Sequence, residues 1–203
     1  MQQKICYIVG AGDCSRLLLN PKKEDLVIAV DGGYEYVKGQ RIDLVVGDFD
    51  SLPYVPEHSN VIRLQPEKND TDMLVALKEG LKAGYRIFHI YGGCGGRVDH
   101  TIANIQCLSY LAAKGARGCL FHERTVITLI QNDSISFDAS MEGYISVFAY
   151  GETAQGVTLK GLKYSLENAV LQDDFPLGVS NEFLGKPACV SVKEGRLLIV
   201  YNL

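Results

Sequence analysis

The sequence predicts an α/β fold, with an N-terminal, mostly parallel sheet and flanking helices followed by a smaller all-β sandwich domain. Three observations support this. Up to about Gly118, short apolar runs alternate with helical patterns, which is the spacing of βαβ units. Runs such as Leu-Val-Ile-Ala-Val at 26–30 and Leu-Val-Val at 44–46 are continuously apolar, as strands buried on both faces are. Beyond Gly118 the texture changes to short β-type segments punctuated by Gly, Asn and Asp, which suggests an antiparallel sandwich or small barrel. The division is expected near residue 122, giving an α/β domain over 1–122 and a β-sandwich domain over 123–203.

Strands of the first part are expected at Lys4 to Val9, Leu26 to Val30, Leu44 to Val46, Val61 to Leu64 and Arg86 to Tyr91. The Ile5 to Val9 run is too short for a signal segment, and Asp13 and Arg16 follow it closely. One helix is expected over Asp72 to Ala83, with Leu74, Leu77 and Leu81 on one face. Asn69-Asp70-Thr71 supplies its N-cap side chains and Gly84 its end. A second helix over Val98 to Ala113 places Val98, Ile102, Ile105, Leu108 and Ala112 together. The later segments are Cys119 to His122, Val126 to Ile130, Ser134 to Phe137, Ile145 to Ala149, Gly156 to Leu159, Ala169 to Leu171, Ala188 to Val192 and Leu197 to Tyr201.

Composition excludes several classes of function. With 47% hydrophobic and 22% charged residues, the 203-residue chain reads as a soluble globular protein. A net charge of -4 argues against a general binder of nucleic acid or acidic membrane, which needs surplus Lys and Arg. No apolar stretch approaches the ~20 residues that span a bilayer. Six cysteines are scattered without Cys-x-x-Cys spacing, so no zinc site or disulfide framework is expected, and a reducing, cytoplasmic location is.

The strands of the first part end in Gly or Asp, at the sheet edge where parallel folds bind ligands. Gly10-Ala11-Gly12 follows the first strand but has Ser15 where a dinucleotide fingerprint needs its third Gly. Asp31-Gly32-Gly33 follows the second. Gly47-Asp48-Phe49-Asp50-Ser51 follows the third; in extended backbone Asp48 and Asp50 would share a face, a pair suited to Mg²⁺, although an acidic turn has the same residues. Lys68-Asn69-Asp70-Thr71-Asp72 opens a helix, and Asp72 is more acid than capping requires. Gly92-Gly93-Cys94-Gly95-Gly96 carries a large entropic cost for a mere turn, while its backbone N–H groups and Arg97 can wrap an anion. His100 reads either as a proton-transfer group or as a helix-terminal hydrogen bond.

Carboxylates for Mg²⁺ beside glycine loops and Arg97 describe phosphoryl chemistry. The order of these motifs, with Val98-Asp99-His100, Ala103-Asn104, Gly161-Leu162-Lys163-Tyr164 and Ser180-Asn181-Glu182-Phe183, resembles the thiamine pyrophosphokinases (thiamine diphosphokinases) over nearly the whole chain. The resemblance implies an α/β catalytic domain, a β-sandwich domain that binds thiamine, and a homodimer with its active site between subunits. It implies Mg²⁺-dependent transfer of a pyrophosphoryl group from ATP to the thiamine hydroxyl, releasing AMP. By the same similarity Asp48, Asp50 and Asp72 hold the metal, while Lys68, Asp70, Gly95, Gly96, Arg97 and His100 lie on the nucleotide side. Asp31 and Asp99 are matched acids, either of which orients or deprotonates the alcohol, and Ser180, Asn181 and Phe183 face thiamine. The chain departs from the family in having no Trp, and in Tyr34-Glu35 where Ala-Asn is usual. A metal-dependent phosphohydrolase and a non-catalytic nucleotide or thiamine sensor are the rival readings.

Overall fold

The computed structural model describes residues 3–14, 17–50, 52–65 and 69–203. They form two compact units, Met1–Glu123 and Arg124–Leu203. Among the described residues no helix is long and apolar enough to cross a membrane, and all six cysteines are free.

Among the described residues the first unit holds six strands: β1 (Ile5–Val9), β2 (Leu26–Val30), β3 (Leu44–Gly47), β4 (Val61–Arg63), β5 (Ile87–Tyr91) and β6 (Arg117–His122). They lie in the order β6-β5-β1-β2-β3-β4, and every neighbouring pair is parallel. β1 therefore stands between β2 and β5, and the direction of winding changes beside it. In open parallel sheets that crevice is where ligands bind. The segment Cys119 to His122, expected among the antiparallel strands, lies in β6 and pairs parallel with β5.

The helices of the described residues here are α1 (Gly33–Val37), α2 (Asp72–Lys82) and α3 (Val98–Ala113). α2 starts at Thr71, whose hydroxyl accepts from Leu74 N at 3.2 Å. It ends before Gly84, whose φ of +83° only glycine adopts freely. Its buried residues are Met73, Ala76, Leu77 and Gly80. A Cβ on Gly80 would sit 2.6 Å from the Phe88 ring, so this glycine lets the helix lie close against β5. α3 turns a different face inward from the one its apolar residues mark. Val98 and Ile102 are 72% and 55% exposed, whereas Asn104, Cys107, Leu108 and Leu111 are buried. The polar Asn104 decides the rotation, because it bonds into the glycine loop described below.

The second unit is a sandwich of short strands. β7 (Thr125–Gln131), β9 (Tyr144–Ala149), β12 (Asn181–Glu182) and β14 (Arg196–Asn202) are antiparallel in the order β12-β9-β14-β7. β8 (Ser134–Phe137), β10 (Ala154–Lys160), β11 (Leu166–Leu171) and β13 (Ala188–Ser191) form the facing sheet, in the order β11-β10-β13-β8. Alternate residues point inward, as the two-residue period of a strand requires. Ile145, Val147, Leu197 and Ile199 meet Val157, Leu159 and Val190 in one core.

Candidate active site

Two strand ends and one helix start bring carboxylates together. β2 ends at Val30, and Asp31 follows in a left-handed conformation, φ +48°, with its N–H donating to Val46 O at 2.9 Å. β3 ends at Gly47, where a Cβ would lie 2.1 Å from Asp31 Oδ1. The missing side chain thus makes room for the Asp31 carboxyl. Phe49 donates its N–H to that oxygen at 3.2 Å. Asp72 arrives from the first turn of α2. One carboxylate oxygen from each of Asp31, Asp48 and Asp72 lies within 4.8 Å of the others.

Asp50 is not in that set. The reading of Asp48 and Asp50 on one strand face assumed extended backbone, but Phe49 has φ +61° and its side chain is buried. The chain therefore reverses between the two acids. Asp50 is exposed, and its N–H donates to Asp48 Oδ1 at 3.3 Å.

Burial pushes the Asp31 carboxyl up to about 7, helped by its hydrogen bond to Asp72 and by the charges of Asp72 and Asp48, and opposed by the Phe49 N–H. An unfolded Asp titrates near ~4, so between about 4 and about 7 the folded chain holds the extra proton and stability falls as pH rises. A divalent cation offsets the repulsion. Thermal melts should therefore show Mg²⁺ raising the melting temperature more at pH 8 than at pH 5; equal shifts would separate Asp31 from the cation.

The cavity beside these acids is walled by backbone. Gly10 N donates to Tyr91 O and Gly12 N to Gly92 O, both at 2.8 Å, stitching the exit of β1 to that of β5. A Cβ on Gly10 would lie 2.7 Å from Gly92 O, so the loops touch backbone to backbone. They enclose about 290 Å³ together with Asp31, Asp72, Arg97, His100 and Asn104. Buried Asn104 donates Nδ2 to Gly93 O at 2.7 Å. Asp13, which the sequence reading did not place in the site, accepts from Gly96 N at 3.0 Å and also lines the cavity. Its partner is remote in sequence, so no local pattern marked it.

Arg97 and Asp99 form a two-point pair, Nε to Oδ1 at 3.2 Å and Nη2 to Oδ2 at 2.6 Å. The guanidinium holds the exposed Asp99 carboxyl below its usual range. Asp70 neither caps α2 nor lines the cavity; its carboxylate takes Lys78 Nζ at 2.6 Å. Lys68 and Ser51 lie outside the described residues.

The candidate thiamine residues belong to the second unit. Asn181 is buried, donating Nδ2 to Tyr164 O at 2.7 Å and accepting from Tyr164 N and Glu182 N at 2.9 Å. It fixes the Tyr164 backbone and lines an apolar cavity of about 260 Å³ with Leu159, Tyr164, Leu166, Leu177, Gly178 and Val179. Ser180 is exposed at φ +59°, its N–H donating to Ser146 Oγ at 3.1 Å. Phe183 is core rather than a free ring face, packed edge-on to Phe137 at 5.2 Å. Tyr164 is 60% exposed. Leu177 and Val179 lie in a turn outside every segment that the sequence marked.

Residues 18–120 match the model of the thiamin pyrophosphokinase catalytic domain, and residues 131–197 that of the thiamin pyrophosphokinase vitamin B1 binding domain. The chain belongs to the thiamine pyrophosphokinase family. Membership makes it an enzyme with thiamine pyrophosphokinase function. It is 28% identical over 162 residues to the thiamine pyrophosphokinase of Bacillus subtilis (strain 168), covering 76% of this chain and 75% of that one. A solved thiamin pyrophosphokinase from Geobacillus thermodenitrificans superposes with a TM-score of 0.83 at 28% identity, over 98% of this chain and 97% of that one. The Bacillus subtilis structure gives a TM-score of 0.84 at 24% identity, over 98% and 99% of the two chains, a likeness of fold.

Proposed function

We propose that the protein transfers a pyrophosphoryl group from ATP to the thiamine hydroxyl, giving thiamine diphosphate and AMP. The observation that carries this reading is the meeting of Asp31, Asp48 and Asp72 within 4.8 Å beside a cavity walled by glycine backbone. Three hard oxygen donors fit a divalent cation such as Mg²⁺, and the raised titration of Asp31 marks a cluster short of positive charge. When bound, the cation supplies charge neutralisation for the phosphates. Asp31, Asp48 and Asp72 would hold it; Asp50, matched by resemblance, is the exposed acid at their margin.

The chain's own groups do the positioning. Backbone N–H groups and Arg97 receive the polyphosphate, with Arg97 giving up its Asp99 fork. Lys68 is retained as a polyphosphate contact on the resemblance alone. The hydroxyl oxygen bonds to the β-phosphorus, the bond from that phosphorus to the α-β bridging oxygen breaks, and AMP leaves with that oxygen. Of the two acids open for the alcohol proton, Asp31 lines the cavity, whereas Asp99 is exposed and held by Arg97. In this reading the proton goes to the Asp31 carboxylate oxygen that is not turned to the cation. Thiamine is taken by the sandwich unit, where the exposed Tyr164 ring suits a thiazolium cation. A homodimer completing the site between subunits and a cytoplasmic location belong to the same reading.

Incubation with ATP, Mg²⁺ and thiamine tests it. AMP and thiamine diphosphate should appear in equal amounts, and no AMP should form without thiamine. Phosphate release without any acceptor would favour a phosphohydrolase, and folded protein that yields neither product would favour a sensor.

A further inference from the structure

The Gly92 to Gly96 segment has almost no side chain with which to hold its own shape. Ordering a residue costs on the order of 1 to 2 kcal/mol in backbone entropy, and glycine costs most. Hydrogen bonds from outside the segment hold its conformation, three of them at its two ends. Gly12 N reaches Gly92 O, Asn104 Nδ2 reaches Gly93 O, and Asp13 Oδ2 accepts from Gly96 N. The first two hold its start. The third holds its far end, where Gly95 and Gly96 adopt φ +82° and +61° immediately before Arg97.

The fit at that end is close. A Cβ on Gly95 would lie 2.5 Å from Asp13 Cβ and Oδ2, so the Asp13 side chain rests directly on the Gly95 Cα. This contact requires glycine at 95, independently of the left-handed backbone. Asp13 and the turn it holds both line the cavity. A carboxylate is an unexpected neighbour for a triphosphate, because like charges repel. Its retention there is understandable if its hydrogen bond outweighs that repulsion, since a charged acceptor makes a bond roughly twice as strong as a neutral one.

We propose that Asp13 is a positioning residue for the nucleotide: its hydrogen bond to Gly96 N–H fixes the turn that aims backbone donors and Arg97 at the polyphosphate. The proposal rests on the ATP reading above and deepens it. It places the specificity of Asp13 on the nucleotide side alone. The thiamine side lies in the other unit and is predicted to be insensitive.

Two variants and two readouts test this. Asp13→Ala removes the acceptor, whereas Asp13→Asn keeps an oxygen for Gly96 N–H and removes only the charge. Losing one positioning hydrogen bond to a charged group should raise KM for ATP by roughly 10- to 100-fold. KM for thiamine and kcat should move by less than about threefold, and Asp13→Asn should recover most of the KM for ATP. Independently of turnover, amide exchange at Gly96 should accelerate in Asp13→Ala and stay slow in Asp13→Asn. Unchanged Gly96 exchange in the alanine variant would overturn the proposal, as would equal rises in both KM values or an asparagine variant as impaired as alanine. If the parent protein makes no AMP from ATP, the ATP reading and the nucleotide role assigned to Asp13 fall together. The exchange data still decide whether Asp13 holds the turn.

Discussion

Asp72→Asn is expected to lower kcat/KM by roughly 10³-fold, the scale of losing one preorganised electrostatic group from a phosphoryl-transfer site. The melting temperature should hold or rise. Burial first, and then the hydrogen bond and charge of Asp72, push the Asp31 titration up to about 7. An amide at position 72 keeps a hydrogen-bonding group while removing one of three mutually repelling charges. Asp31 then titrates lower, and the loss of stability between pH 4 and 7 shrinks. Steady-state AMP formation, with melts at pH 8, measures both effects. An active variant would remove Asp72 from the cation set, and a large fall in melting temperature would make its role structural.

Gly92→Ala should destabilise the fold by about 3 to 4 kcal/mol, because it combines two of the recognised causes of large effects, a left-handed backbone and a steric clash. Gly92 has φ +59°, and its added Cβ would lie 2.2 Å from Gly10 O and 2.9 Å from Gly10 C. Both atoms are backbone, so relief requires the β1 and β5 exits to part and the cavity to lose its wall. Gly39 provides the comparison within the same chain. It also has positive φ, +82°, but nothing lies within 4 Å of its missing Cβ. Gly39→Ala should cost only about 1 kcal/mol, the left-handed penalty alone. Denaturant unfolding of both variants tests the difference; equal costs would show that the Gly10 contact yields easily.

Much of the first unit was legible because a parallel sheet writes itself as short apolar runs that stop at Gly or Asp. β2 and β8 fall where the pattern placed them, at Leu26–Val30 and Ser134–Phe137. α1 escaped notice because five residues, Gly-Tyr-Glu-Tyr-Val, are too few to show a helical period, and Gly32 caps them with no side chain. β12 is two residues long and exists through its pairing with β9. Sequence texture also misled at β6, since a β-type run says nothing of its partner's direction. The site was legible as a set of loops and less so as a geometry. Asp48, Asp50 and Asp72 were read as the metal acids and Asp31 as an acid for the alcohol, but which acids meet depended on Phe49 taking a conformation that bulky residues rarely adopt. Thr71, not its acidic neighbour, took the cap, leaving Asp70 to Lys78. The α3 face was set by Asn104 through a bond to Gly93, which helical periodicity does not record.

The place of β1 between β2 and β5 also governs how the enzyme is made. On one side Ile5 to Val9 pair with Ile87 to Tyr91 of β5, and on the other Cys6 to Val9 pair with Leu26 to Ala29 of β2. During synthesis one neighbour of β1 is available early, and the other only after most of the first unit has been translated. Until then β1 presents an open backbone edge, the kind of surface that attracts wrong partners. Because the cavity is stitched from the exits of these same two strands, it exists only after the late strand docks. The cavity therefore reports a docked late strand, and a ligand bound in it would hold the folded unit against reopening.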